Sequence, residues 1–264
     1  MTRLPVAKTY KLYLGGAFAR SESGRTYEIE GANVARGSRK DVRDAVRAAR
    51  AGLPNWAGMT AYNRGQVLYR IAEMMEGRRA QFVEVSGSEE EVDEAIDRWI
   101  WYAGWADKLA QILGSSNPVA GSYFNFTIPE PMGVVGVVAP EELALLGLVS
   151  RLAPVIVSGN TAVVLASERR PVAAITLAEV LATSDVPGGV VNVLTGQKEE
   201  LSPVLASHMD VNALDLAGID GDRAELERLA AENVKRVVRN GDGQSPWHAA
   251  AYLELKTVWH PIGV

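Results

Sequence analysis

Gly133-Val134-Val135-Gly136-Val137-Val138-Ala139 is apolar throughout, rich in β-branched residues, and has no polar residue alternating through it. A strand of that composition has no solvent face, so it belongs in a sheet covered on both sides. The next hundred residues repeat the same grammar. Leu145 to Val157 has helical spacing, Thr161 to Leu165 is a second strand, and Pro171 to Leu181 is a helix with proline in its first turn, where a missing N–H costs little. Val190 to Leu194, Val211 to Leu216 and Val234 to Arg239 read as further strands, separated by helices at Glu199 to Ser207 and Arg223 to Glu232. Five strands alternating with helices predict an α/β fold, a parallel twisted sheet with its ligand crevice at the carboxyl ends of the strands.

Upstream, Lys11 to Phe18 places large apolar residues around Gly15-Gly16, the pattern of a small antiparallel hairpin. Ser38 is placed to cap a helix over Arg39 to Ala51, in which Val42, Val46 and Ala49 share a face. Further helices are expected over Asn63 to Met75 and Ser88 to Leu113, the latter opening with Glu89, Glu90 and Glu91 at its positive end. Trp99, Trp101, Tyr102 and Trp105 are assigned to one broad face of that helix and read as core packing. Glu76, Arg78, Arg79 and Glu84 read as a solvated mixed-charge face. Downstream, Gly241 to Pro246 is turn-rich, and Tyr252 to Trp259 alternates as a strand does. Such a strand must pair with its own chain or extend a partner's sheet.

Composition excludes several classes. With 47% hydrophobic and 22% charged residues the chain is globular, and it is long enough for a core that needs no cross-links. It has no cysteine, which removes thiolate chemistry and cysteine-ligated zinc. No apolar run approaches membrane length and Met1 to Tyr10 lacks a signal-type segment, so a cytoplasmic location is expected. A net charge of −5 argues against nucleic acid or an anionic membrane as partner. His208 reads as a packed or turn-bonding residue, and His248 and His260 have no partner at metal-ligand spacing, so no metal is expected. Gly133 and Gly136 lack the third glycine of a dinucleotide fingerprint and read equally as packing.

A series of linked motifs carries a resemblance. Gly133-Val134-Val135-Gly136-Val137-Val138, Leu152-Ala153-Pro154, Gly159-Asn160-Thr161, Glu168, Val186-Pro187-Gly188-Gly189 through Thr195-Gly196, and Ser207-His208-Met209-Asp210-Val211 together resemble the NAD(P)-dependent aldehyde dehydrogenase superfamily. Leu14-Gly15-Gly16, Ser23-Gly24 and the helix Tyr102 to Leu109 are similar to the same family's opening. The resemblance runs from about residue 10 to 246, and Tyr252 to Trp259 resembles the family's oligomerisation strand. It implies a Rossmann-like domain over residues 1–246, with N-terminal helices and a bridging strand near 122–127, followed by an oligomerisation strand over 247–264. It also implies that the catalytic domain, with its cysteine nucleophile, is absent between Pro246 and Tyr252. Met1 and the direct passage into Tyr252 are read as a natural internal loss, not a cut chain.

Departures from the family pattern fall on its chemistry. Where the family has a proline-tryptophan-asparagine-phenylalanine-proline motif, this chain has Pro140-Glu141-Glu142-Leu143-Ala144, and a carboxylate at Glu142 would repel a developing oxyanion. The family's ribose-binding lysine falls at Leu165 and the proline after it at Ala166; its Gly-Ser phosphate site falls at Gly218-Ile219 and its general-base glutamate at Asn240. Glu168 matches the acidic residue that the family sets against the ribose. Glu168 and Gly218 therefore stand as vestigial cofactor contacts, with no catalytic residue remaining. The expectation is a non-catalytic subunit, structural or regulatory, holding no cofactor. It would pair with itself or with an active aldehyde dehydrogenase through Ser122 to Thr127 and Tyr252 to Trp259. The alternative is an NAD(P)-binding oxidoreductase of altered chemistry, retaining NAD weakly and using Glu168 with the strand end at Glu141 and Glu142.

Overall fold

Every residue of the run Val134 to Val138 is buried, as a strand without a solvent face requires. The structure, a computed structural model, describes residues 7–239, 241 and 243–263. The chain opens with short strands β1 (Thr9–Tyr10), β2 (Leu12–Leu14), β3 (Ala17–Ala19), β4 (Thr26–Ile29) and β5 (Ala32–Ala35). Helices α1 (Arg39–Gly58), α2 (Ala61–Glu76), α3 (Arg79–Ser86), α4 (Glu89–Trp105) and α5 (Leu109–Leu113) follow, then β6 (Ser115–Asn117) and β7 (Tyr123–Pro131). The alternating part comprises β8 (Val134–Val138), α6 (Ala144–Val157), β9 (Thr161–Leu165), α7 (Pro171–Leu181), β10 (Val191–Leu194), α8 (Lys198–Ser207), β11 (Ala213–Asp215), α9 (Ala224–Ala231) and β12 (Arg236–Val238). Helix α10 (Pro246–Ala250) and strand β13 (Leu253–Pro261) come last. Among the described residues no helix is long and apolar enough to cross a membrane.

The five alternating strands lie parallel in the order β12-β11-β8-β9-β10, and the β2–β3 hairpin adds antiparallel strands beyond β10. Because side chains alternate along a strand, β8 feeds two cores. Val135 and Val137 pack with α6, α7 and the α2–α4 layer, while Val134 and Val138 pack with α1, α8 and α9. Gly136 faces the second core, where a Cβ would lie 2.7 Å from Leu214 and 2.8 Å from Leu205. Its role is packing.

Two helical expectations need correction, and one helix is added. Helix α1 does not stop at Ala51 but runs through Pro54 to Gly58, because its last turns bury Trp56, whose indole N–H donates to the Ile156 carbonyl at 2.9 Å. The long helix expected to end at Leu113 breaks after Trp105 and resumes at Leu109; Lys108 Nζ donates to the Gly104 carbonyl at 2.6 Å, satisfying a group freed at the break. Residues 79–86 form α3, a helix the sequence reading did not place; its Glu84 is exposed and its Arg79 partly so, as a mixed-charge face requires, while Phe82 is fully buried beneath it. The aromatic set on α4 is divided as well: Trp99 and Tyr102 are fully buried, whereas Trp101 and Trp105 are half-exposed and meet at a tilt of 49° with ring centres 5.6 Å apart.

The start of α1 behaves as the sequence requires. Ser38 Oγ accepts from the Asp41 amide, and the buried Asp41 carboxylate accepts from the Ser38 amide at 2.8 Å and from Ser21 Oγ at 2.8 Å. Ser38→Ala is expected to cost about 1 kcal/mol, read as a lowered urea midpoint with unchanged slope.

The last strand returns to its own chain. β13 pairs antiparallel with β7 from Leu253↔Pro131 to Pro261↔Tyr123, and β6 covers the other side of β7 from Ser115↔Thr127 to Asn117↔Asn125. Strand β7, which contains most of the Ser122–Thr127 segment, is therefore central in this three-stranded sheet, and β13 is an edge. Asn160, fully buried, ties the sheet to the body: its Oδ1 accepts from the Gly133 amide at 2.7 Å and its Nδ2 donates to the Tyr252 carbonyl at 2.8 Å.

Candidate functional site

At the carboxyl ends of β8, β9 and β11, where the strand order reverses about β8, lies a cleft of about 430 Å³. That is where an open α/β sheet places a ligand. Its lining includes Glu141, Glu168, Lys198, Gly218, Ile219 and Asp222. Glu168 and Gly218 both line it.

Their partners differ from those of a cofactor site. One Glu168 carboxylate oxygen accepts the Lys198 amide at the start of α8. Glu141 accepts from Ser167 Oγ at 2.6 Å and from the amides of Glu168 and Arg169, each at 3.1 Å, and so fills the turn leading into α7. Asp222 accepts the Ala224 amide at 2.8 Å at the start of α9. Glu91, buried and projecting from α4, accepts the Leu145 and Leu146 amides at 2.8 and 3.1 Å in the first turn of α6. Free amides at helix starts attract anions. Here the chain's own carboxylates occupy them.

Lys198 lies at the centre. Its ammonium donates to the Ala139 carbonyl at 2.7 Å, to the Gly218 carbonyl at 3.1 Å and to the Glu141 carboxylate, with the two side chains only 9% and 11% exposed. An ammonium has three donors, and all three are committed. Burial alone would raise the Glu141 pKa, but the hydrogen bonds from Lys198, Ser167 and the two amides outweigh it and hold the carboxyl below its ordinary value. The field of the cleft is negative: burial, and then the charges of Glu168 and Glu141, push the Tyr27 phenol up to about 12.

Gly218 is fixed by packing. Its amide donates to the Val138 carbonyl at 2.9 Å, and a Cβ there would lie 1.9 Å from the Ala139 carbonyl oxygen. Leu165 is buried at 1% exposure in the second core, and Ile219 packs against that core from the cleft side. Glu142 is exposed on the lip of a separate cavity of about 580 Å³ that Arg98, Arg151 and Arg223 also line. Asn240 lies outside the described residues. His208 bonds its own turn, its Nδ1 accepting from the Asp210 amide at 3.2 Å.

Sequence reasoning did not single out Lys198. A signal was present: a lysine in the first turn of a helix opposes the helix dipole, and a local rule broken without evident compensation marks a special site.

Residues 26–260 match the aldehyde dehydrogenase family profile. The chain is 30% identical to aldehyde dehydrogenase 1A1 of Homo sapiens over 97% of its own length and 54% of the relative's. It is 31% identical to the mitochondrial aldehyde dehydrogenase family 2 member B4 of Arabidopsis thaliana over 90% and 47%. Among solved structures it superposes on an NAD-dependent aldehyde dehydrogenase from Sinorhizobium meliloti with a TM-score of 0.81 at 26% identity, covering 88% of this chain and 50% of the other. It thus spans about half the length of the relatives it matches. On the profile match and the shared α/β sheet, the chain belongs to the aldehyde dehydrogenase family.

Proposed function

We propose that the chain is a non-catalytic aldehyde dehydrogenase-like subunit, a structural or regulatory partner of itself or of an active aldehyde dehydrogenase. The observation that carries this reading is that the chain's own carboxylates take the amides at the cleft: Glu141 those of Glu168 and Arg169, Glu168 that of Lys198, and Asp222 that of Ala224. A dinucleotide is held by such amides through its pyrophosphate. To enter, it would have to displace these carboxylates within a lining that sets Glu141, Glu168, Glu199, Asp220, Asp222 and Glu225 against Arg169 and Lys198. Lys198 offers it nothing, because its protons are taken, and Leu165 supplies no cation. The residues present do not fit the cofactor. This chain also carries no thiolate of its own, having no cysteine.

Calorimetric titration of the purified chain with NAD+ and with NADP+ tests the reading. No saturable heat is expected at millimolar cofactor. Micromolar binding of either nucleotide would overturn the proposal and support an oxidoreductase of altered chemistry. Affinity isolation from the native source is expected to return the chain in an assembly, either with copies of itself or with an aldehyde dehydrogenase, and not as a free monomer.

A further inference from the structure

The turn between β8 and α6 separates two hollows. Glu141 lines the cleft, while its neighbour Glu142 lines the cavity of about 580 Å³. Three guanidinium groups line that second cavity: Arg98 from α4, Arg151 from α6 and Arg223 just ahead of α9. Arg98 is only 7% exposed. A guanidinium keeps its charge when buried, and a charge in the interior without a countercharge is strongly unfavourable. Arg98 Nη1 donates to Ser150 Oγ at 2.7 Å and to the Gly243 carbonyl at 3.0 Å, and its buried Nε has no acceptor among the described residues. Arg223 Nε donates to the Ile219 carbonyl at 3.2 Å. Among the described residues, then, Arg98 and Arg223 have neutral partners only. Asp215, a buried carboxylate that feels the charges of Arg151 and Arg223, is already engaged by the Tyr252 hydroxyl and the Ala217 amide, each at 2.9 Å. The field here is opposite to that of the cleft. Burial pushes the Tyr102 phenol up to about 12, against the bond to the Ser245 carbonyl and the charges of Arg98 and Arg151.

We infer that this cavity binds a small organic monocarboxylate as an effector, its charged end on Arg98 and Arg223 and its hydrocarbon part on Pro140, Leu143 and Leu146. The planar fork of a guanidinium matches a carboxylate, which accepts two parallel N–H bonds. The volume is that of a cavity for an organic ligand and exceeds what an inorganic anion needs. Glu94 and Glu142, both exposed on the cavity lining, repel a second negative charge, so one carboxylate fits better than a polyanion. Leu143 marks where the hydrocarbon belongs. Its φ of 46° lies in the left-handed region, a conformation costly for a residue with a side chain. Its side chain is 56% exposed, an apolar surface that an alkyl chain would cover. The site shares no lining residue with the cleft, so the inference stands apart from the reading of the chain as a non-catalytic subunit.

Calorimetric titration of the full chain with hexanoate tests the site, with hexanamide and citrate as comparisons. Hexanoate is expected to bind saturably. Hexanamide has a body of the same length without the charge, and citrate adds charges that Glu94 and Glu142 oppose; each is expected to bind about tenfold more weakly or worse. Arg223→Gln changes a partly exposed side chain. It should weaken hexanoate about tenfold while leaving the melting temperature of the free protein unchanged. Arg98→Met should abolish saturable binding, and because it removes a buried charge with no countercharge it should not lower the melting temperature. A merely structural Arg98 would give the reverse, a lower melting temperature with hexanoate affinity intact. That result, equal binding of hexanoate and hexanamide, tighter binding of citrate, or no saturable heat at millimolar hexanoate would each overturn the assignment. Should Arg98→Met fail to fold, Arg223→Gln and the comparison ligands still decide it.

Discussion

Lys198→Met is expected to destabilise the fold by about 3–5 kcal/mol, because it leaves the Glu141 carboxylate buried beside strand-end carbonyls with its ammonium partner gone. Lys198 joins Ala139 at the end of β8, Gly218 after β11 and Glu141 across the cleft, so its removal loosens three segments at once. The double variant Lys198→Met with Glu141→Gln should recover most of the loss, since a buried polar pair costs most when half of it remains. Urea unfolding of the three proteins is the measurement, and a single variant no less stable than the double one would sink the argument. The pair also predicts an acid limb. The native Glu141 pKa is depressed, so its stabilising contribution is present above the unfolded carboxylate value, about 4.3, and is lost as pH falls through the native value. Lys198→Met should flatten that part of the stability profile.

Gly218→Ala should be nearly as damaging, at about 3 kcal/mol or more. The added methyl would lie 1.9 Å from the Ala139 oxygen, 2.4 Å from its carbonyl carbon and 2.7 Å from the Val138 oxygen. These are backbone atoms of one buried strand end and cannot rotate aside. Relief requires the ends of β8 and β11 to separate, which also strains the Lys198 contact. Hydrogen exchange should show the loss as faster exchange of the Gly218 amide, which donates to Val138. A wild-type urea midpoint would refute the packing role and return this glycine to ligand approach alone.

The alternating core was legible because its evidence is local. Val134–Val138, Thr161–Leu165 and Val191–Leu194 can only be strands covered on both faces, and Pro171 marks the start of its helix. The misplaced boundaries belong to residues whose behaviour is set by distant partners. Pro54 stays helical because Trp56 beyond it reaches Ile156, and α3 holds because Phe82 is buried. The cleft was legible as a set of losses at Leu165 and Ile219, because replacing one residue type by another shows in sequence. What fills it was not legible. The Glu141–Lys198 pair joins residues 57 positions apart, and no spacing announces it.

The three-stranded sheet has a consequence for the order of events on the ribosome. Strand β7 is synthesised before the whole alternating unit, and β13, its long partner, after it. Until β13 emerges, Tyr123, Phe124 and Ile128 belong to a nascent strand with one side unpaired, the sort of segment that chaperones retain and that aggregates when they are scarce. Closure is then secured by the first residue ahead of β13, since Tyr252, fully buried, donates its hydroxyl to Asp215 at 2.9 Å and its carbonyl accepts from Asn160. The interior of the sheet domain thus holds sites waiting for a residue made more than thirty positions later, so the sheet domain completes its interior only after β13 has been made.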